Sequence, residues 1–231
     1  MRTEGPCADG LRSATPGPSP YLPHVFGTPL NLRPRYNIAP TTTVDVLRLG
    51  SEGRRELVSM RWGLVPMWWQ KALKSVPATF NARAEGIATK PMFRDAFKRR
   101  RCIVPASGFY EWTGGGNDKT PHLFSAADGS PVPAFAGLWD RRRNPEGEDV
   151  LSCTIIVSGA SAWMAPYHDR MPVLLREADF DTWLSGEAGP EVLQPAAESA
   201  LREWTVDRRV NRTGEGDDDP TIVEPVASAA A

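Results

Sequence analysis

The sequence predicts one mixed α/β domain built on a largely antiparallel, barrel-like β-sheet with flanking helices. Three observations lead there. Short runs rich in β-branched and aromatic residues, each bounded by turn residues, recur along the chain. Only two segments carry helical start and stop signals. The strand-like runs are spread over the whole length, which argues for one shared sheet system. At 231 residues, 41% hydrophobic and 24% charged, the chain can close a substantial core.

Residues 1–31 read as an irregular arm, because the first 34 residues carry seven prolines and four glycines without periodicity. Residues 32–226 form the expected domain and residues 227–231 a tail. The strand-like runs are VDVLRL (44–49), ELVSMRWGLV (56–65), RCIVPAS (101–107), PHLFSA (121–126), VPAFAGLWD (132–140) and LSCTIIVSGA (151–160). PMFRDAFKRRR (91–101) opens with proline and ends in bases, which suits a helix dipole. EADFDTWLSG (177–186) starts acidic and stops at glycine, which predicts the second helix. The stretch after residue 211 reads as a loop followed by a short apolar end, TIVEPV.

Several function classes are excluded at this level. No apolar stretch approaches the 18 residues of a membrane span, and the opening MRTEGPCADG lacks the basic head and apolar stretch of a secretory signal. An intracellular, cytoplasmic and monomeric protein is expected. Cys7, Cys102 and Cys153 form no C-x-x-C pair, and His24, His122 and His168 show no ligand spacing. No metal or cofactor is expected. Cys102 and Cys153 sit in apolar strand runs and read as core.

The net charge of −1 disfavours nucleic acid at first sight. Its distribution is uneven, since residues 211–231 carry a net −4. Basic runs stand at Lys98-Arg99-Arg100-Arg101 and Arg141-Arg142-Arg143. They read either as part of a basic groove for a phosphate backbone or as solvated helix ends and turns.

Polar residues stand in apolar or rigid surroundings in RYNIAP (35–40), FNARAEG (80–86), SGFYEW (107–112) and HDRMP (168–172). Glu111 among aromatics suits a desolvated general acid or base, and a histidine such as His168 is the side chain type suited to proton transfer at physiological pH. Asn81 can donate and accept at once, and Arg83 and Arg170 offer planar forks that fit phosphate oxygens. The Trp68-Trp69 pair could stack unpaired bases or lie in the core. Each residue also has a structural reading: a strand-end carboxylate for Glu111, a satisfied histidine in a Pro-bounded turn for His168, a turn cap for Asn81.

Taken together, RYNIAPT, RWGLVP, FNARAEG, CIVPASGFYEW and HDRMP, in this order, resemble the SRAP (SOS response-associated peptidase) family from about Leu32 to Val226. The resemblance implies a sensor of abasic sites in single-stranded DNA. In that family an N-terminal cysteine traps the ring-opened sugar aldehyde as a thiazolidine, a stable DNA–protein crosslink. It implies that Asn81 holds the intermediate, Glu111 shuttles protons and His168 assists sugar-ring opening and Schiff-base chemistry. Arg83 and Arg170 match phosphate-gripping arginines. Asn37, Pro40, Trp68, Trp69 and Trp112 fall where the family lines its DNA groove.

This chain departs from the pattern at its start. It begins Met-Arg, where the family has Met-Cys-Gly-Arg. The resemblance makes Cys7, followed by Ala8-Asp9, the candidate for the nucleophile's place, with six residues ahead of it and its amine in a peptide bond; processing to Cys7 or a different start would be needed to free such an amine. Three readings follow: an abasic-site crosslinker, a single-strand-binding relative that forms no stable crosslink, or a cysteine-type peptidase. The last fares worst, because a thiol nucleophile needs an activating base and an oxyanion hole.

Overall fold

The computed structural model describes residues 12–15, 32–128, 134–143 and 149–226. Its strands, in chain order, are β1 (Arg12–Thr15), β2 (Arg35–Ile38), β3 (Thr43–Leu49), β4 (Arg55–Trp62), β5 (Asn81–Arg83), β6 (Arg101–Pro105), β7 (Gly108–Thr113), β8 (Thr120–Ala126), β9 (Ala134–Arg143), β10 (Asp149–Gly159), β11 (Arg170–Pro172), β12 (Leu174–Leu175) and β13 (Leu201–Thr205). Two short helices accompany them, α1 (Arg94–Arg99) and α2 (Phe180–Ser185).

Strands β10, β4, β3, β6 and β9 close on themselves, because β9 also pairs β10 along its length, from Asp149↔Arg143 to Ile155↔Gly137. The predicted barrel is therefore present, and it is mostly antiparallel. The seam is the exception: β4 and β5 both run parallel to β10. A second sheet, ordered β13-β8-β7-β1-β2, covers one side.

The barrel strands are buried on both faces, which explains runs such as CIV and TIIV that do not alternate. Val46, Val104 and Ile155 enter one core cluster with Phe109, Phe124 and Phe135. Their chain neighbours Leu47, Ile103 and Ile156 enter another with Phe97, Phe180 and Trp183 of the helices. The sheets meet through Phe109, stacked on Phe124 at 5.1 Å between centroids and edge-on to Phe135 at 6.1 Å. Gly108 is required at the crossing, since a Cβ there would lie 2.4 Å from the Phe124 carbonyl oxygen.

All six strand-like runs form strands. Helix α2 follows its signals: Phe180, Trp183 and Leu184 are buried at helical spacing, and Gly186 ends it at φ +88°. The first predicted helix is shorter than its pattern. It starts three residues after Pro91, and Arg101 already belongs to β6. Arg101 leaves the solvent because its guanidinium lies over Phe97 and Trp183, and its Nε donates to the Phe97 carbonyl.

Neither reading of the basic runs survives whole. Arg100 pairs with Asp140, Arg101 and Arg142 are buried, and Arg141 pairs with Asp149. Within the segment read as an irregular arm, Arg12–Thr15 pairs antiparallel with β7 and β2. The acidic stretch is pinned as well: Asp217 pairs with Arg35 at 2.8 Å and Asp219 with Arg209 at 2.5 Å. Among the described residues no helix is long and apolar enough to cross a membrane. Cys7 and the tail at 227–231 lie outside the described residues.

Candidate active site

Strand β10 brings two of the polar segments together. On one edge it pairs with β5, Ile155↔Asn81 and Val157↔Arg83. On the other it pairs with β11, Val157↔Pro172 and Gly159↔Arg170. Arg170 spans the strand end, its Nη1 donating to Glu85 Oε1 at 2.7 Å. The Glu85 carboxyl is held below the usual carboxylate range, first by its own backbone N–H and then by Arg170.

Asn81 and Arg83 point to the same side of β5, while Ala82 between them is fully buried. Arg83 is exposed. Asn81 Oδ1 is buried, and no described group donates to it. A buried carbonyl oxygen is ordinarily paired, so this one is free to accept a hydrogen bond from a group beyond the described residues.

His168 ends a tight turn in which the Tyr167 and His168 N–H groups both donate to the Met164 carbonyl. Buried Met164 and Met171 anchor the turn on either side. His168 Nδ1 accepts the Arg170 backbone N–H at 2.9 Å. The Arg170 carbonyl and Asp169 Oδ1 also lie 3.2 Å from Nδ1, so the neutral ring carries its proton on Nε2 when Nδ1 accepts from the backbone and on Nδ1 when it turns to those oxygens. The side chain is 38% exposed, so the ring can meet a ligand.

The second sheet supplies Glu111. It is 6% exposed and lies on the same face of β7 as Phe109, toward the barrel. His122 is its cross-strand partner on β8. His122 is gripped at both nitrogens, by Glu203 at 2.5 Å and Thr113 at 2.7 Å. Tyr167 packs edge-on to His122 at 4.9 Å between centroids. A continuous set of contacts thus runs from the His168 turn to the strand pair that carries Glu111. Burial, followed by Glu203, pushes the Tyr167 hydroxyl up. Glu85, Tyr167, His122 and Glu203 were not among the site candidates. Glu85 lay within FNARAEG, but nothing local in the sequence marks the other three.

The residues expected to line a DNA groove divide. Trp68 is 46% exposed and Met67 56%, on the loop after Pro66, with Trp69 tilted against Trp68 at 5.9 Å between centroids. Pro40 is half-buried in a turn that also contains Thr41 at φ +73°. Asn37 and Trp112 have structural partners instead. The Asn37 amide donates to the carbonyls of Arg212 and Glu215 at 2.9 and 2.8 Å, and Trp112 Nε1 donates to Asn211 Oδ1 at 2.7 Å. Both tie the 211–215 segment to the second sheet.

Cys102 and Cys153 are fully buried, and desolvation pushes both thiols up, Cys153 to about 12. Neither can supply a thiolate near neutrality.

Comparison with known proteins gives the chain's family. The family model described as SOS response associated peptidase (SRAP) matches residues 22–213. The chain belongs to the SRAP family. It is 37% identical over 163 residues to abasic site processing protein YoqW of Bacillus subtilis, covering 70% of this chain and 71% of that one. It is 33% identical over 184 residues to abasic site processing protein YedK of Escherichia coli, covering 79% and 76%. A crystal structure of a protein from Bordetella bronchiseptica superposes with a TM-score of 0.74 at 26% identity, covering 84% of this chain and 99% of that one. The Bordetella structure shares the chain's fold across most of its length.

Proposed function

We propose that this SRAP protein senses abasic sites in single-stranded DNA, acting as a monomer in the cytoplasm. The observation that carries the reading is the Asn81 carbonyl oxygen, buried and without a described donor on the strand beside Arg170. Relatives named abasic site processing proteins support the same substrate.

In this reading His168 presents Nε2–H to the sugar ring oxygen and assists opening to the aldehyde. Asn81 orients the resulting intermediate, and Glu111 moves protons between nucleophile, carbinolamine and water. An N-terminal cysteine amine adds to the aldehyde carbon, water leaves, and the thiol adds to the resulting imine to close a five-membered thiazolidine. Ring closure is intramolecular and gains from high effective molarity. An α-amine with pKa near 7.7–8.0 is partly neutral at physiological pH and can begin this sequence. Arg83 and Arg170 meet phosphates, and Trp68 and Trp69 meet unpaired bases.

A second reading is favoured by one feature of the sequence. Cys7 has six residues ahead of it, so its amine is a peptide nitrogen. In that form the groove grips single-stranded DNA and Cys7 can give only a reversible hemithioacetal. The test incubates abasic single-stranded DNA with the full chain and with a form beginning Met-Cys7 from which the methionine is removed. A heat-stable shifted band on a denaturing gel from the second form alone supports the crosslinking reading. A heat-stable band from the first, with residues 1–6 confirmed intact by mass, would overturn the amine argument.

A further inference from the structure

The loop at residues 66–70 displays Met67 and Trp68 to solvent, so packing alone does not hold it. It is tied at its root. The Met67 N–H donates to Asp140 Oδ2 at 3.0 Å, and the Val65 N–H donates to Ser152 Oγ at 2.8 Å. Asp140 and Ser152 are directly paired on β9 and β10. The two bonds bracket Pro66, which has no N–H of its own, and the Trp69 N–H folds back onto the Pro66 carbonyl at 2.9 Å.

Asp140 is 3% exposed, and its partners are all donors. The Arg141 backbone N–H reaches Oδ1 at 2.7 Å, and Arg100 reaches Oδ2 through Nη2 at 3.3 Å, with its Nε 3.1 Å from Oδ1. A carboxylate can accept from all of them. A protonated acid or an amide must turn one donor of its own toward another donor. We propose that Asp140 is a positioning residue that latches the 66–70 loop and so holds Trp68 and Trp69 ready for unpaired bases.

Burial raises the Asp140 carboxyl above its ordinary range, while Arg100 and the N–H groups oppose this. Arg100 is the charged side chain paired with it, and buried Arg142 stands two positions along the same face of β9. Ser152 is its cross-strand neighbour on β10, and the Met67 and Arg141 N–H groups donate to it. The latch therefore weakens on acidification at a higher pH than an ordinary aspartate would titrate.

The consequence for binding rests on the single-strand reading above, whereas the latch itself does not. The test compares the full-length wild type with Asp140→Asn, Trp68→Ala and the double variant. It measures hydrogen exchange of the peptide covering residues 65–70 and affinity for an undamaged single-stranded oligonucleotide. Asp140→Asn is expected to exchange faster in that peptide and to bind about 5-fold more weakly at neutral pH, a partial loss of base stacking. In the Trp68→Ala background the same change should cost less affinity than in the wild type, because only Trp69 remains to be misplaced. The wild type should itself lose loop protection on acidification, after correction for intrinsic exchange, which needs no variant.

Unchanged exchange in Asp140→Asn overturns the latch, and pH-independent loop protection in the folded wild type overturns its release by acid. Faster exchange with unchanged affinity overturns the positioning role. No single-strand affinity in the wild type sinks the binding reading instead, and the exchange data still decide the latch.

Discussion

Arg170 donates through Nη1 to Glu85 at 2.7 Å, joining the strand that follows His168 to the segment that follows Asn81. The two residues are 85 positions apart and meet only because β10 lies between their strands. The Arg170 Nε is buried without a described acceptor, so the guanidinium is only partly satisfied. A phosphate oxygen would compete with Glu85 for it.

Replacing Glu85 by Gln should therefore strengthen binding of single-stranded DNA and steepen its salt dependence. Glu85 is largely exposed, so the stability change should be about 1 kcal/mol or less. The sign with pH follows from the lowered Glu85 pKa: its contribution is complete above the unfolded carboxylate value and lost as pH falls through the folded one. Melting curves of wild type and variant should differ near neutrality and converge in acid. Weaker DNA binding by the variant would contradict the competition.

Glu111→Gln and His168→Ala test the proton-transfer roles. In the form beginning Met-Cys7, each should slow trapping of abasic DNA by roughly 10²–10⁴-fold and leave binding to undamaged strands nearly intact. Single-turnover crosslinking run beside thermal melting separates this from structural damage. A variant that merely melts earlier, and traps normally when folded, would remove that residue from the mechanism.

Affinity should favour single strands, or single strands meeting a duplex, over intact duplex, with little sequence preference. It should fall as salt rises through counterion release. Trp68→Ala should cost roughly 1–3 kcal/mol of that binding if the ring stacks on a base. Fluorescence anisotropy over a salt series checks all three, and equal affinity for duplex and single strand would count against the groove.

Thiol labelling should discriminate the cysteines. Cys102 and Cys153 are buried with raised pKa values, so a thiol reagent at neutral pH should leave both unmodified in the folded protein and label both after unfolding. Peptide mass mapping reads the result. Rapid native labelling at either position would reopen the cysteine-peptidase reading.

The sequence by itself determined the barrel strands, the second helix and the family. Apolar runs such as TIIV at 154–157 declare burial on both faces, and Gly186 declares a helix stop, because both signals are local to the chain. Asn81, Glu111 and His168 stood out for a related reason: a polar group inside an apolar or rigid stretch is visible in one dimension.

The tertiary structure alone decided what each polar group meets. Strands β5, β11 and β12 are two or three residues long, too short to show a period, and exist because β9 and β10 supply their partners. Arg101 read as a basic helix end, yet Phe97 and Trp183 take it inside. Asn37 read as a groove residue, yet its amide holds carbonyls more than 170 positions away. Hydrogen bonds and ion pairs between distant segments depend on register and sheet order. Composition and spacing record which groups a chain carries, and only the closed barrel brings those groups within 3 Å of one another.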